Sequence, residues 1–161
     1  VVESFGEKYD YHIPIVTAGG IYDVQDMKHA MELGVDGVQV ATRFVTTYEC
    51  DASDAYKQAY IDAKQEEIQI VKSPVGMPGR AIHNAFIEET EKEPVKIKKC
   101  LQCLEHCKQK DIPYCITNAL INAVKGKVSQ GLIFCGANAW RAKKIEHVSD
   151  IMKEFSGYMT V

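Results

Sequence analysis

The stretch Ile13-Pro14-Ile15-Val16-Thr17-Ala18-Gly19-Gly20-Ile21 decides how this chain is read. Residues 13–17 are a short β-branched run, which predicts a strand buried on both faces. The run stops at Ala18-Gly19-Gly20, where the backbone can turn sharply and let a ligand come close. A helix is expected next. Asp23 is a fair N-cap, Val24, Met27 and Met31 give one apolar face, and Gly34 stands where helices commonly stop. Residues 37–42, Gly-Val-Gln-Val-Ala-Thr, read as a second short strand. Strand, helix and strand in so few residues imply a right-handed parallel βαβ unit.

The chemistry of this unit lies in its turns. Glycines at 19 and 20 leave backbone N–H groups unshielded beside the positive end of a helix dipole. One βα unit later, Ala41-Thr42-Arg43-Phe44 follows the next strand in the same way. Two adjacent strand ends with small residues and a hydroxyl can hold one phosphate from both sides, as after strands seven and eight of β/α barrels. Such a site suits the terminal phosphate of FMN. Taken alone, Gly19-Gly20 reads first as a plain βα turn, and it is the matching turn with Thr42 that favours a phosphate. Arg43 either neutralises the phosphate or makes an exterior salt bridge, and Gln39 either reaches a flavin edge or fills the barrel's polar end.

From Glu49 onward the texture is helical with irregular breaks. Helices are expected over residues 53–64, 86–92, 96–108, 114–125 and 148–155, with Gly126 stopping the fourth and Ser149 capping the last. Residues 67–72 read as a strand. Residues 73–80, Ser-Pro-Val-Gly-Met-Pro-Gly-Arg, hold too much proline and glycine for either. The domain reading is 1–48 for the last βα units of the barrel, 49–147 for a mainly helical extension, and 148–161 for a C-terminal helix packing back on the barrel.

Composition excludes several classes. With 161 residues, 46% hydrophobic, 25% charged and a net charge of -3, the chain carries no basic footprint for nucleic acid or an anionic membrane. No apolar run approaches the ~20 residues of a spanning helix. Val1-Val2-Glu3-Ser4 shows neither an initiator Met nor a secretory n-region, so the expectation is a piece of a longer, cytoplasmic protein with reduced thiols. Its partners are expected to be a small-molecule substrate and, at most, a second copy in a homodimer.

Cys100, Cys103, Cys107 and Cys115 are spaced C-x2-C-x3-C-x7-C. Thiolates so close could ligate zinc or an iron–sulfur cluster, with His106 as a further donor. Positions 100, 103 and 107 also share one face of a helix. The simpler expectation is therefore a buried thiol stripe with no metal.

Beyond these physical readings, the segments 13–21 and 33–44 resemble the flavin-phosphate half of nitronate monooxygenases, formerly 2-nitropropane dioxygenases, a family that includes the flavin-type enoyl-acyl carrier protein reductase II. The resemblance continues through residues 73–84 and 131–141. Inosine monophosphate dehydrogenases share the first motif alone. The resemblance implies an α/β fold: the C-terminal part of a TIM-type (β/α)8 barrel followed by a mainly helical lid. It implies FMN as cofactor, with Gly20, Gln39, Val40, Ala41 and Thr42 at the flavin, joined by Gly19 from the cradle reading. Ala41 departs from the family, which usually has glycine there. Asn138, in a Gly/Ala-rich segment facing the flavin in relatives, would orient a polar substrate group such as a nitronate oxygen, or cap a turn. The family's catalytic histidine lies in an Ala-Gly-Gly-His segment upstream, and none of His12, His29, His83, His106 and His147 fits it. The catalytic residue is therefore unknown. The implied activity is oxidation of alkyl nitronates with O2. NAD(P)H-dependent enoyl-thioester reduction is the alternative, with Lys96, Lys98 and Lys99 docking an acidic carrier. A non-catalytic helical module with a Cys-bound metal is a third reading.

Overall fold

A computed structural model describes residues 2–97, 100–103, 105, 107 and 111–159. After a first helix, α1 (Val2–Tyr9), strand β1 (Val16–Ala18) pairs in parallel with β2 (Gly37–Gln39) across helix α2 (Val24–Glu32). This is the expected βαβ unit, with both strands shorter than the sequence pattern predicts. The reason is local. The Asp36 carboxylate takes the Ile15 N–H at 2.7 Å, and the Ile15 carbonyl takes the N–H groups of Asp36 and Gly37. Residues 13–15 are thereby tied down outside the ladder, where Pro14 has no N–H to donate. Burial on both faces is not found either, since Val16 is 63% exposed and Ala18 is exposed. Among the described residues these two strands pair only with each other.

Helix α2 starts and stops where its caps dictate. Asp23 accepts the N–H groups of Gln25 and Asp26, Asp26 reaches back to the Asp23 N–H, and Gly34 leaves the helix at φ 89°. Such a cap is worth roughly 1 kcal/mol. The inner face of α2 buries Met27 against Ile151 and Phe155 of α7 (Val148–Met159). Ser149 does not cap α7. The Glu49 carboxylate does, accepting the Val148 N–H at 3.0 Å and bonding the His147 ring at 3.1 Å.

After the short helix α3 (Thr42–Val45), Ser53 caps α4 (Asp54–Asp62) by accepting the Tyr56 N–H. The following region is less helical than expected. Strands β3 (Ile68–Val71) and β4 (Gly79–Ile82) form an antiparallel hairpin, and Gly79 and Arg80, read as loop, belong to its second strand. Gly79 is there for packing: a side chain would overlap the Phe134 ring. Helices α5 (Ala85–Lys92) and α6 (Ile116–Val124) close against the hairpin, burying Phe86, Ile87, Tyr114, Ala119 and Leu132. Asn84 ties them together. It caps α5 through the Ile87 N–H and donates to the carbonyls of Val128 and Gly131 at 2.7 and 2.9 Å.

The helix expected over residues 96–108 is absent among the described residues of that span. Gln102 has φ 52°, which ends any right-handed helix, and Cys103 is exposed. The buried helical thiol stripe is thus overturned, and with it the helical form of the third reading. His106, Lys98 and Lys99 lie outside the described residues. No helix among those described is long and apolar enough to cross a membrane.

Candidate functional site

The two βα turns open on one cleft of about 470 Å³. Ala18, Gly19, Gly20 and Ile21 form one wall and Gln39, Ala41 and Thr42 the next; Val45, Tyr56, Tyr60, Phe134, Cys135 and Gly136 complete it. Gly19 and Gly20 sit at φ 87° and 76°, the left-handed region that glycine enters without cost. A Cβ added at either would meet nothing within 4 Å, so backbone handedness rather than crowding demands these glycines, and the turn lies open. The N–H groups of Gly20 and Thr42 meet no acceptor among the described residues.

Thr42 begins α3, and its Oγ1 accepts the Gly136 N–H at 2.8 Å, which leaves its own hydroxyl proton to donate elsewhere. Gly136 has no room for a side chain, since a Cβ would stand 2.5 Å from Thr42 Oγ1. Two residues on, Asn138 donates its amide to the Gly20 carbonyl at 2.6 Å. The segment from Phe134 to Asn138 is therefore bonded to both turns and roofs them. Asn138 neither caps the 3-10 turn that follows it nor lines the cleft; it fastens the roof to the turn.

Five of the six cofactor residues expected from sequence thus surround one cleft. Val40 does not. Its side chain faces the opposite side, lining an apolar groove of about 350 Å³ with Met27, Met31, Val38, Phe44, Met152 and Phe155. Alternation along the chain puts Gln39 and Ala41 on one side and Val40 on the other.

Arg43 also turns away. It is 7% exposed and pairs with Glu154 at 2.8 Å and Glu146 at 3.4 Å, and its Nη1 reaches the Tyr22 carbonyl at 3.3 Å. Its guanidinium lies 5.2 Å from the Tyr22 ring centroid, and that of Arg141 lies 4.9 Å away. Arg141 in turn pairs with Asp23 and with Asp26, the latter at 2.6 Å. Burial acts to raise the Asp26 pKa. The N–H groups of Tyr22 and Asp23 and the Arg141 guanidinium outweigh it and hold the carboxyl below its usual range. Both arginines next to the turn are thus committed to carboxylates, and among the described residues no Lys or Arg lines the cleft.

The far wall comes from α4, where sequence reasoning missed Tyr56 and Tyr60. The signal was present: two aromatic residues at i and i+4 on one helix face. Tyr60 donates to the Phe134 carbonyl at 2.5 Å, and its hydroxyl lies 3.4 Å from that of Tyr56. Burial pushes the pKa of both phenols up. Burial also pushes the Cys135 thiol up to about 11, against the lowering effect of Arg80, so it stays a protonated thiol at neutral pH. The cleft wall is therefore uncharged, with neutral donors at one end and aromatic and apolar surface at the other. Such a set fits an anionic phosphate bonded to bare amides and a planar ring beyond it. Among the described histidines none lines this cleft. His12 pairs with Asp36, His147 with Glu49, His83 lies near Glu88 and Glu91, and His29 is exposed on α2.

Two parallel strands joined by a helix, with turns that meet at one cleft, make a βα repeat of the kind from which β/α barrels are built. A family profile described as nitronate monooxygenase matches residues 1–156, and the chain belongs to that family of oxidoreductases. A probable nitronate monooxygenase of Staphylococcus saprophyticus is 40% identical over 78 residues, which are 48% of this chain and 22% of that protein. One from Staphylococcus aureus (strain Newman) is 39% identical over 77 residues, again 48% and 22%. The matched part is thus about a fifth of these relatives' length. Among solved structures, FabK from Thermotoga maritima superposes with a TM-score of 0.69 at 25% identity, over 94% of this chain and 47% of its own. A nitroalkane oxidase from Streptomyces ansochromogenes gives 0.67 at 19% identity, over 93% and 40%, a likeness of fold alone. This chain covers less than half the length of either structure.

Proposed function

We propose that the intact protein is an FMN-dependent oxidoreductase that oxidises alkyl nitronates with O2, and that this chain forms the phosphate end of its flavin site and the roof over it. The observation that carries the reading is the convergence of the Gly19-Gly20 turn and Thr42 on one cleft with no Lys or Arg among its described lining residues. In this reading the Gly20 and Thr42 N–H groups and the Thr42 hydroxyl hold the FMN phosphate. The roof, fixed by Gly136 and Asn138, excludes water from one side. Tyr56 and Tyr60 supply a neutral wall, and Cys135 remains a spectator thiol. When bound, the flavin ring supplies the electron-accepting chemistry. The catalytic base is assigned to a part of the protein outside these residues.

Oxygen uptake by the purified flavoprotein with propyl-2-nitronate tests the activity. Uptake dependent on nitronate and on FMN is the expected result. NADH or NADPH oxidation driven by an enoyl thioester, without nitronate-dependent uptake, would move the assignment to the reductase branch. A protein that retains no flavin would overturn both.

A further inference from the structure

Residues 93–115, between α5 and α6, contain neither helix nor strand among those described. The base of this connection is clamped. Val95 donates its N–H to the Pro113 carbonyl at 2.7 Å, and the Tyr114 ring meets Phe86 edge-on at 5.0 Å. Beyond the clamp the described residues offer little apolar anchorage: Leu101 is 40% exposed, and Gln102, Cys103 and Glu105 are exposed. A connection of this length with so little regular structure among its described residues is uncommon in a compact unit unless something else holds it. This one carries four of the chain's six cysteines.

Local geometry seats part of this set at the start of α6. Gln102, at φ 52°, bends the Cys100-x-x-Cys103 segment into a tight knuckle in which Cys100 Sγ accepts the Gln102 N–H at 3.4 Å. Cys103 Sγ accepts the Thr117 hydroxyl at 2.8 Å. Thr117 stands on the first turn of α6, two residues past Cys115, so the knuckle is pinned beside the fourth cysteine. Cys107, half-buried, is the third thiol of the spacing and lies between the knuckle and Cys115 along the chain. Cys115 opens α6 with no side-chain cap on the helix N–H groups.

We propose that Cys100, Cys103, Cys107 and Cys115 ligate an iron–sulfur cluster that staples this connection to the start of α6. N–H and O–H donors to sulfur are the outer-shell contacts that stabilise ligating thiolates, and Cys100 and Cys103 each have one. Size favours a cluster over a single ion. Zinc draws each sulfur to about 2.3 Å, so its four thiolates must nearly touch. Among the described residues no three His, Cys, Asp or Glu side chains stand close enough to grip one ion. A cluster meets each cysteine through a separate iron and accepts a wider ring of sulfurs, while short C-x2-C-x3-C spacing suits it. The staple is structural, and the reading stands apart from the flavin reading because its test measures metal rather than turnover.

The test uses the full-length protein purified without air, assayed for iron, acid-labile sulfide and zinc, beside Cys103→Ser, Cys107→Ser, Thr117→Val and, as a control, Cys50→Ser. About four iron and four sulfide per chain, retained in Cys50→Ser and lost in Cys103→Ser and Cys107→Ser, is the expected result. Thr117→Val, which keeps every ligand, is expected to lose its cluster faster on exposure to air. Far-ultraviolet circular dichroism separates loss of metal from loss of fold, since a folded serine variant without iron still supports the assignment. One zinc per chain would overturn the cluster in favour of a single-ion site. Iron and zinc no higher than in the serine variants would overturn the site altogether.

Discussion

Replacing Thr42 with valine tests the phosphate assignment most directly, because the two side chains have nearly the same shape. Thr42 Oγ1 already accepts the Gly136 N–H at 2.8 Å, so its remaining capacity is one donated proton. A hydrogen bond to a charged group is worth about 1.5–3 kcal/mol, equivalent to a roughly 10- to 150-fold weaker Kd for FMN. The orphaned Gly136 N–H adds a cost of about 1–3 kcal/mol that falls on the roof's seating instead. Riboflavin separates the two contributions, since it has the ring but no phosphate. Fluorescence titration of the apoprotein should show Thr42→Val weakening FMN by that factor and riboflavin much less. Equal losses for both ligands, or no loss for FMN, would refute the placement of the phosphate at this turn.

Other perturbations probe the frame around the site. Gly20→Ala puts a side chain at φ 76° with nothing within 4 Å of its Cβ, so calorimetry should find only the left-handed penalty of about 1–2 kcal/mol. Gly131→Ala should be far worse, because its Cβ would overlap the Ala123 backbone nitrogen; thermal melts should show it failing to fold or losing several degrees. Arg43→Met should destabilise by about 2–3 kcal/mol, less than a fully buried pair because Glu154 is 33% exposed. Burial acts to raise the Glu154 pKa, but Arg43 and the Val24 N–H outweigh it and hold it below 4.5. The pair's contribution is therefore present at neutral pH and disappears as the pH falls below about 4.5 toward the folded-state value. Denaturant titrations across that range should show a shallower acid loss in Arg43→Met than in the parent. Tyr60→Phe leaves the Phe134 carbonyl without its 2.5 Å donor and should cost about 1–2 kcal/mol by the same measurement.

Local rules written in neighbouring residues were legible from the chain. Asp23, Gly34 and Gly126 set helix ends by a cap and left-handed turns, and the structure has them where the pattern put them. Interactions across long separations were not. Ser149 loses the cap of α7 to Glu49, a residue that no local pattern brings near. The hairpin strand β4 hid behind Pro78 and Gly79 because that glycine answers to the Phe134 ring. The spacing of Cys100, Cys103 and Cys107 fits a helix face and a knuckle equally well, and only the backbone at Gln102 tells them apart. At the site, the glycine turn and Thr42 were readable because close backbone approach needs those residue types. Which way Arg43 points was not, since Glu146 and Glu154 lie more than a hundred positions away.

The Tyr22 ring, held between two guanidiniums that are each bound to acids, has a consequence for how a dianion would be retained. Full positive charge stays just outside the cleft and is already neutralised, so the cradle attracts through amide and hydroxyl dipoles at short range. Retention of such a ligand should be nearly indifferent to ionic strength, unlike a lysine-lined pocket, whose grip fades as counterions crowd in.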